Sequence, residues 1–420
     1  MKKWFLLLCT LPLLWACSDD EVEPDVPDLP DQPQEVEKAP LTILAYLIAN
    51  NNLDDFLSYN IGIMYDGLAA MDKPATLLVY WDGKTTIGEN SASHLILKYE
   101  TDGEGNVNGL PKVDTSSSLT EVLEIGEIVK EYPTQVSTSS SVMTNVLNDM
   151  LGEAPTERVG LVFGSHGSAW LNTIYTRAFG QDGSGTNNTI QISDMASALK
   201  ATNRTFDFIL FDACYMGTVE VCYEFREVAD YQIVSAMEVP AYGFPYDMFM
   251  ANLYEGTPDG YQKACETYFD YYNQLYVDGS SNTWGTVALV ESKEMQVMVA
   301  ALKEEIVNHK NVLADYDATV LQEYGRSSGR YISFDMGQLV KDLNDGTIPD
   351  KFRAQLDKTV VYKECMEKAN PSSYSVDVSN FCGLGMYLPV KTKSAWNEYF
   401  KTTSWYTVSG WNEVTFSWDF

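Results

Sequence analysis

FDFILFDACYMG, residues 206–217, carries four consecutive apolar side chains, Phe208 to Phe211, and then stops abruptly in Asp212-Ala213-Cys214. Such a run reads as a strand buried on both faces. Helix-like periodicity resumes at Val219, Cys222, Tyr223 and Phe225. A thiol at the carboxyl end of a buried parallel strand sits where open α/β sheets place their ligands. Forty-eight residues before Cys214 stands His166, after a second apolar run, VGLVF, that ends in Gly164-Ser165-His166-Gly167. Parallel strands end on the same side of a sheet, so Cys214 and His166 are expected at one edge.

The surrounding pattern sets the fold class. LTILAYLIA from Leu41 reads as a buried strand, followed by an amphipathic helix marked by Leu53, Phe56, Leu57, Ile61, Met64, Leu68 and Met71. ATLLVYW, YQIVSAM and TVALV read as further strands, and SHLILKYET with DGEGNVNG as a hairpin. Helical patterns cover 119–131, 141–151, 217–229, 261–277 and 293–308, and Ser193 is expected to cap the helix MASALKA. Strands alternating with helices predict an α/β fold, a mostly parallel central sheet with helices on both faces. Residues 309–380 are less periodic, and FCGLGMYLPV reads as one more strand before an aromatic tail. The expected division is a catalytic domain over 41–290 and a C-terminal α+β extension over 291–420 packed on it.

Composition narrows the partners. The 420 residues are enough for a full hydrophobic core, and 28 basic against 59 acidic residues give a net charge of −31. That balance argues against a nucleic-acid partner. Lys2 and Lys3 precede the apolar run Trp4 to Trp15, a targeting segment too short to span a bilayer stably. It ends in Leu14-Trp15-Ala16-Cys17, which resembles a bacterial lipoprotein signal, with residues 1–16 removed and lipid carried on Cys17. Ser18-Asp19-Asp20-Glu21 resembles the acidic tags of Gram-negative surface lipoproteins, so the expected location is the outer membrane or cell surface. Residues 17–40, acidic and punctuated by prolines, are expected to form an extended tether.

Beyond Cys9 and Cys17 the chain has Cys214, Cys222, Cys265, Cys365 and Cys382. The number is odd and no pair has C-x-x-C spacing, so neither a disulfide framework nor a structural zinc site is expected. Cys222, Cys265 and Cys382 lie in apolar patterns and read as core residues. Cys214 has small and polar neighbours. A thiolate is a competent nucleophile, and an imidazole can take the thiol proton and return it to a leaving amine. Gly167 permits a sharp turn after His166, and its N–H with that of Cys214 would make an oxyanion hole. The other reading of the spacing is a buried Cys and a loop His that never meet. His94 and His309 are expected to be bystanders, and DGEGNVNG lacks the ligand positions of an EF-hand. No metal-ligand cluster stands out, and no cofactor is required.

Five segments together resemble the clostripain family of cysteine peptidases: LTILAYLIANNNLDDF, GLVFGSHGSAW, FDACYMGTVEVCYEF, IVSAMEVPAYGFPYD and CGLGMYLP. The resemblance spans residues 41–390 and implies a caspase-like fold, a His166–Cys214 dyad and endopeptidase cleavage after Arg or Lys. It also admits calcium, since some members are calcium-stimulated. One departure is Asn50, where the family commonly has Asp. Asp212 shares a side of its strand with Cys214 and is a candidate for the S1 pocket that receives the basic P1 side chain; its alternative role is to pin a loop. Glu238 is the second S1 candidate. Relatives are often cut in the loop after the catalytic His, here 168–190, whose first half contains one basic residue, Arg177. The expectations for that loop are self-cleavage after Arg177 or a lid that is never cut. A catalytically silent surface lipoprotein that binds peptides, or a scaffold in the same shell, is the alternative to an enzyme.

Overall fold

Every residue of Thr42–Ile48 (β1) is buried, yet neighbours in sequence go to opposite sides. Leu44, Tyr46 and Ile48 join one core, Ile43, Ala45 and Leu47 another. A strand with no polar face has to lie inside a sheet that is covered on both sides. The computed structural model describes residues 40–84, 94–114, 119–171, 179–183, 188–280, 283–325, 329–370 and 374–420. The signal segment, Cys17, the tether up to residue 39 and Arg177 lie outside the described residues.

The chain continues through α1 (Asp54–Ala69), β2 (Ala75–Asp82), parallel to β1, and β3 (His94–Thr101), antiparallel to β2. DGEGNVNG turns into the short strands β4 (Asn106–Val107) and β5 (Leu110–Pro111). Residues 119–131, expected as one helix, divide into α2 (Leu119–Ile125) and β6 (Glu127–Glu131), which pairs with β3. The break falls at Gly126, where an added Cβ would come within 2.8 Å of the Tyr99 ring. Only a residue without a side chain lets the backbone lie this close to β3.

The alternating part follows: α3 (Ser140–Glu153), β7 (Val159–Gly164), α4 (Ile192–Lys200), β8 (Phe206–Asp212), α5 (Val219–Glu224) and β9 (Ala229–Val234). Ser193 is not the cap of α4. Gln191 is the extended residue before it, and Ser193 lies inside the first turn. The expected helix over 217–229 is only α5, because residues 213–217 are spent turning away from the sheet edge. Next come α6 (Tyr246–Tyr254), α7 (Pro258–Val277), β10 (Thr286–Glu291) and α8 (Met295–Asn308).

The less periodic remainder holds α9 (Lys310–Leu313), β11 (Phe334–Asp335), α10 (Met336–Leu343), α11 (Asp350–Thr359) and β12 (Val360–Cys365). After the short strands β13 (Lys368–Asn370), β14 (Tyr374–Ser375) and β15 (Gly385–Met386), α12 (Ser394–Thr402) and α13 (Ser404–Val408) lead to the end. FCGLGMYLPV does not make a full strand. Only β15 pairs, with β11 in a separate two-stranded sheet, since Gly383 at φ 98° bends the chain before it. The Gly385 N–H donates to the Gly217 carbonyl at 2.9 Å, so this segment braces the turn that follows Cys214.

Among the described residues the main sheet has the order β12-β10-β9-β8-β7-β1-β2-β3-β4-β5, with β6 also on β3. The five central strands, β9 to β2, are parallel, and β10 and β12 extend the sheet antiparallel. One face is covered by α1, α6 and α7, through Ile61, Met64, Phe249 and Tyr261. The other is covered by α3, α4 and α8, through Leu147, Met195 and Leu302. The C-terminal aromatics Tyr387, Phe400, Trp405 and Trp411 join this second core. The result is an α/β sandwich around a large, mostly parallel sheet.

Candidate active site

Pairing of β7 with β8 sets the site. Gly164 lies opposite Asp212, so His166 and Cys214 each follow two residues beyond the end of adjacent parallel strands. The Ser165 hydroxyl donates to the Ile48 carbonyl at 2.8 Å and ties the His loop to the end of β1. At Gly167 an added Cβ would lie 2.5 Å from the Cys214 carbonyl oxygen and 3.2 Å from its nitrogen. The backbone of the His loop therefore rests on the backbone of the Cys turn, and glycine is the residue that permits it. Immediately after Cys214, Tyr215 adopts φ 61°, which costs a non-glycine residue roughly 1 kcal/mol. Its N–H donates to the Met237 carbonyl at 2.9 Å, and this hold on the sheet turns the chain sharply enough to leave the thiol at the edge.

Both side chains line one cavity of about 430 Å³, with Asp212, Glu238, Asn52 and Trp284 also in its wall. Cys214 is partly exposed, whereas Cys222, Cys265, Cys365 and Cys382 are buried, and burial pushes their thiols up. Buried neutral thiols are inert packing, so Cys214 is the one described thiol placed for chemistry. His166 Nε2 stands 2.8 Å from Asn52 Oδ1. An amide oxygen only accepts, so in this contact Nε2 carries the proton and Nδ1 is the basic nitrogen. The neighbouring asparagines support the same turn. Asn51 donates to the carbonyls of Ile48 at 3.0 Å and Gln181 at 2.7 Å, and Asn50 donates to Asp182 Oδ1 at 3.0 Å. Asn50 thus makes a bond to a carboxylate that an ionised Asp would not.

The two acidic candidates differ. Asp212 is buried, and its Oδ2 accepts from the Tyr246 hydroxyl at 2.9 Å and the Phe244 N–H at 3.3 Å. Gly243, at φ 69°, passes behind it, where a Cβ would come within 2.3 Å of Oδ2. Burial raises the Asp212 carboxyl to about 6 against those hydrogen bonds, which lower it. Both hydrogen bonds fall on one oxygen. Glu238 is also buried, but Arg330 Nη1 lies 3.2 Å from its Oε1.

His94 and His309 do not line this cavity. His94 is buried on β3 with Nε2 3.4 Å from Asp82 Oδ1, and burial holds its pKa low while raising Asp82 to about 7. His309 ends α8 beside Glu305. Three contributors escaped the sequence: Asn52, one of three consecutive asparagines, Tyr246 and Arg330. The spacing of apolar residues distinguishes none of them. Among the described residues no group of three or more His, Cys, Asp and Glu side chains is placed to hold a metal ion. Among the same residues no helix is long and apolar enough to cross a membrane.

A thiol and an imidazole that line one cleft with an acidic wall, at the carboxyl edge of a parallel sheet, have the layout of a cysteine peptidase. The chain belongs to the clostripain family, peptidase C11, which matches it over residues 45–418. Clostripain of Hathewaya histolytica is 23% identical over 240 residues, covering 51% of this chain and 42% of that protein, so the match spans less than half of that relative. A secreted C11 cysteine protease of Bacteroides thetaiotaomicron, solved with an irreversible peptide inhibitor, has a TM-score of 0.71 at 24% identity, covering 90% of this chain and 100% of that one. An inactive zymogen C11 protease of Parabacteroides distasonis has a TM-score of 0.68 at 25% identity, covering 88% of this chain and 97% of that one.

Proposed function

We propose that the chain is a cysteine endopeptidase that cleaves peptide bonds after arginine, and after lysine, through Cys214 and His166. The observation that carries this is the single cavity in which Cys214, His166 and Asp212 converge. His166 Nδ1 takes the thiol proton, and the thiolate attacks the carbonyl carbon of the P1 residue. The N–H groups of Gly167 and Cys214 receive the oxyanion. The imidazolium then protonates the leaving amine, the C–N bond breaks, and water hydrolyses the thioester with His166 as base. Asn52 keeps the ring oriented throughout.

Asp212 serves as the P1 acceptor. Its donors use Oδ2, which leaves Oδ1 for a guanidinium, and a cation in the pocket favours the ionised carboxylate. Glu238 is the weaker candidate because Arg330 already neutralises it. The clostripain relative points the same way only by family. We further propose that the protein is lipid-anchored through Cys17 at the outer membrane or cell surface and that it cleaves itself after Arg177, a loop that stays uncut as a lid being the alternative.

The deciding experiment compares hydrolysis of fluorogenic peptides with Arg, Lys and Ala at P1. Wild type is expected to cleave the first two, and Cys214→Ala and His166→Ala to lose cleavage while keeping the wild-type circular dichroism spectrum. Activity retained in Cys214→Ala would refute the Cys214 mechanism, whereas a wild type that hydrolyses none of the peptides would favour a catalytically silent surface lipoprotein that binds peptides.

A further inference from the structure

Asn52 is exposed, so packing does not fix the amide that meets His166. What fixes it is the backbone of the turn between β1 and α1, and the bonds of that turn lead to one buried side chain, Asp182. This residue is 4% exposed, and it does not line the catalytic cavity. Each of its oxygens accepts one hydrogen bond. Oδ1 takes the Asn50 amide at 3.0 Å, and Oδ2 takes the Ser137 N–H at 2.8 Å.

Ser137 is a firm footing for that carboxylate. Its carbonyl accepts from the Tyr46 hydroxyl of β1 at 2.8 Å, and its hydroxyl pairs with that of Tyr80 of β2 at 2.8 Å. All three residues are buried. Asp182 thus joins the asparagine turn to the central sheet. The backbone on either side of it makes further bonds. The Gly183 N–H donates to the Asn50 carbonyl at 2.7 Å, and the Gly180 N–H donates to the His166 carbonyl at 2.8 Å. Residues 180–183 therefore grip both the turn that carries Asn52 and the loop that carries His166.

We propose that Asp182 is a positioning residue of the peptidase: through Asn50 it fixes the turn that presents Asn52, and Asn52 holds the His166 ring with Nδ1 as the basic nitrogen. An exposed amide on a loose turn samples several rotamers, and ordering it then has to be offset at every catalytic cycle. A misplacement of about 1 Å in a catalytic group costs on the order of 100-fold in rate. The choice of residue types is specific as well. An Asp at position 50 would set two carboxylates 3.0 Å apart, which like charges resist. An Asn at position 182 would offer one oxygen where two donors, from Asn50 and Ser137, now meet two. With both residues exchanged, the amide at 182 donates to the carboxylate at 50 and its oxygen accepts from Ser137, so both bonds return. The effect on turnover rests on the peptidase reading. The effect on the ring does not.

The test compares Asn50→Asp, Asp182→Asn and the double exchange. On an Arg-P1 peptide Asn50→Asp is expected to lower kcat by about 100-fold and Asp182→Asn by about tenfold, each with KM within about threefold of wild type. The double exchange should recover kcat to within about threefold. A pair that only stabilised the fold would lower the melting temperature without this split, because the molecules still folded would turn over normally. The second readout is imidazole ¹⁵N NMR of Cys214→Ala protein, recorded above the pH at which the ring titrates. The chain has three histidines, and the His166 signals are those lost in His166→Ala. One tautomer with Nε2 protonated is expected in the parent, a mixture in each single variant and one tautomer again in the double exchange. The proposal falls if both single variants keep the parent tautomer or keep kcat within about threefold, or if the double exchange is no better than Asn50→Asp. Should Asn50→Asp not fold, the nearly isosteric Asp182→Asn and its rescue by the second exchange carry the same decision. Should wild type hydrolyse no peptide, the peptidase reading fails and the spectra alone decide whether Asp182 positions the ring.

Discussion

Asp212→Asn separates the two roles open to this carboxylate. The Asp212 carboxyl stands at about 6 instead of 3.8, chiefly because it is buried. At about 1.4 kcal/mol for each tenfold change, an ionised Asp212 costs the fold about 3 kcal/mol at pH 8. The folded pKa is raised, so between about pH 4 and pH 6 the native state binds more protons than the unfolded one. This residue's contribution to stability therefore falls as pH rises through that window and is level above it. Asparagine keeps an acceptor for Tyr246 and Phe244 but carries no charge, and the net gain expected at pH 8 is about 1–2 kcal/mol, or a Tm higher by about 2 °C or more. The catalytic effect runs the other way. A guanidinium left in the pocket without its ion partner loses about 3–5 kcal/mol, which lowers kcat/KM for an Arg substrate by about two to four orders of magnitude. In wild type kcat/KM should rise with pH through about 6 as Asp212 ionises, and the variant should lack that limb. The assay is a pH series of kcat/KM on an Arg-P1 peptide beside thermal melts at pH 4, 6 and 8. A variant within threefold of wild type on the Arg substrate would refute the S1 assignment. A variant that melts lower at pH 8 would show that the carboxylate pins the loop at 243–246 instead.

Three other outcomes follow from the geometry. Gly167→Ala places a methyl 2.5 Å from the Cys214 carbonyl, so the His loop has to move. Loss of about 100-fold or more in kcat, with stability lowered by only about 1–3 kcal/mol, is expected, and near-wild-type turnover would remove Gly167 from the oxyanion site. N-terminal sequencing of wild type is expected to reveal a second terminus at Ala178 that Cys214→Ala lacks, and an intact, fully active wild-type chain would show that the loop is an uncut lid. Cys17→Ser is expected to move the protein from the membrane to the soluble fraction, since each buried acyl CH₂ contributes about 0.8 kcal/mol, and an unmodified mature N-terminus by mass spectrometry would exclude the anchor.

The sequence by itself determined the strands that carry the site. Phe208 to Phe211 and the VGLVF run are uninterrupted apolar stretches, and burial on both faces follows from that pattern alone. It also set the edge at which His166 and Cys214 emerge, because parallel neighbours end on the same side. Local chemistry failed where a single residue overrode a periodic pattern. Gly126 split one expected helix into α2 and β6, and Gly383 cut an apolar run down to β15. The partners within the cleft were decided only by tertiary structure. Asn52 lies 114 residues from His166, and nothing in Asn50-Asn51-Asn52 says which of the three faces the ring. Tyr246 reaches Asp212 across 34 residues, and Arg330 reaches Glu238 from a segment without clear periodicity. Asp182 likewise meets Asn50 across 132 residues. Periodicity is a property of neighbours along the chain, so it reports which side of an element is buried. A hydrogen bond between distant polar side chains depends on how those elements pack, and short-range pattern holds no record of it.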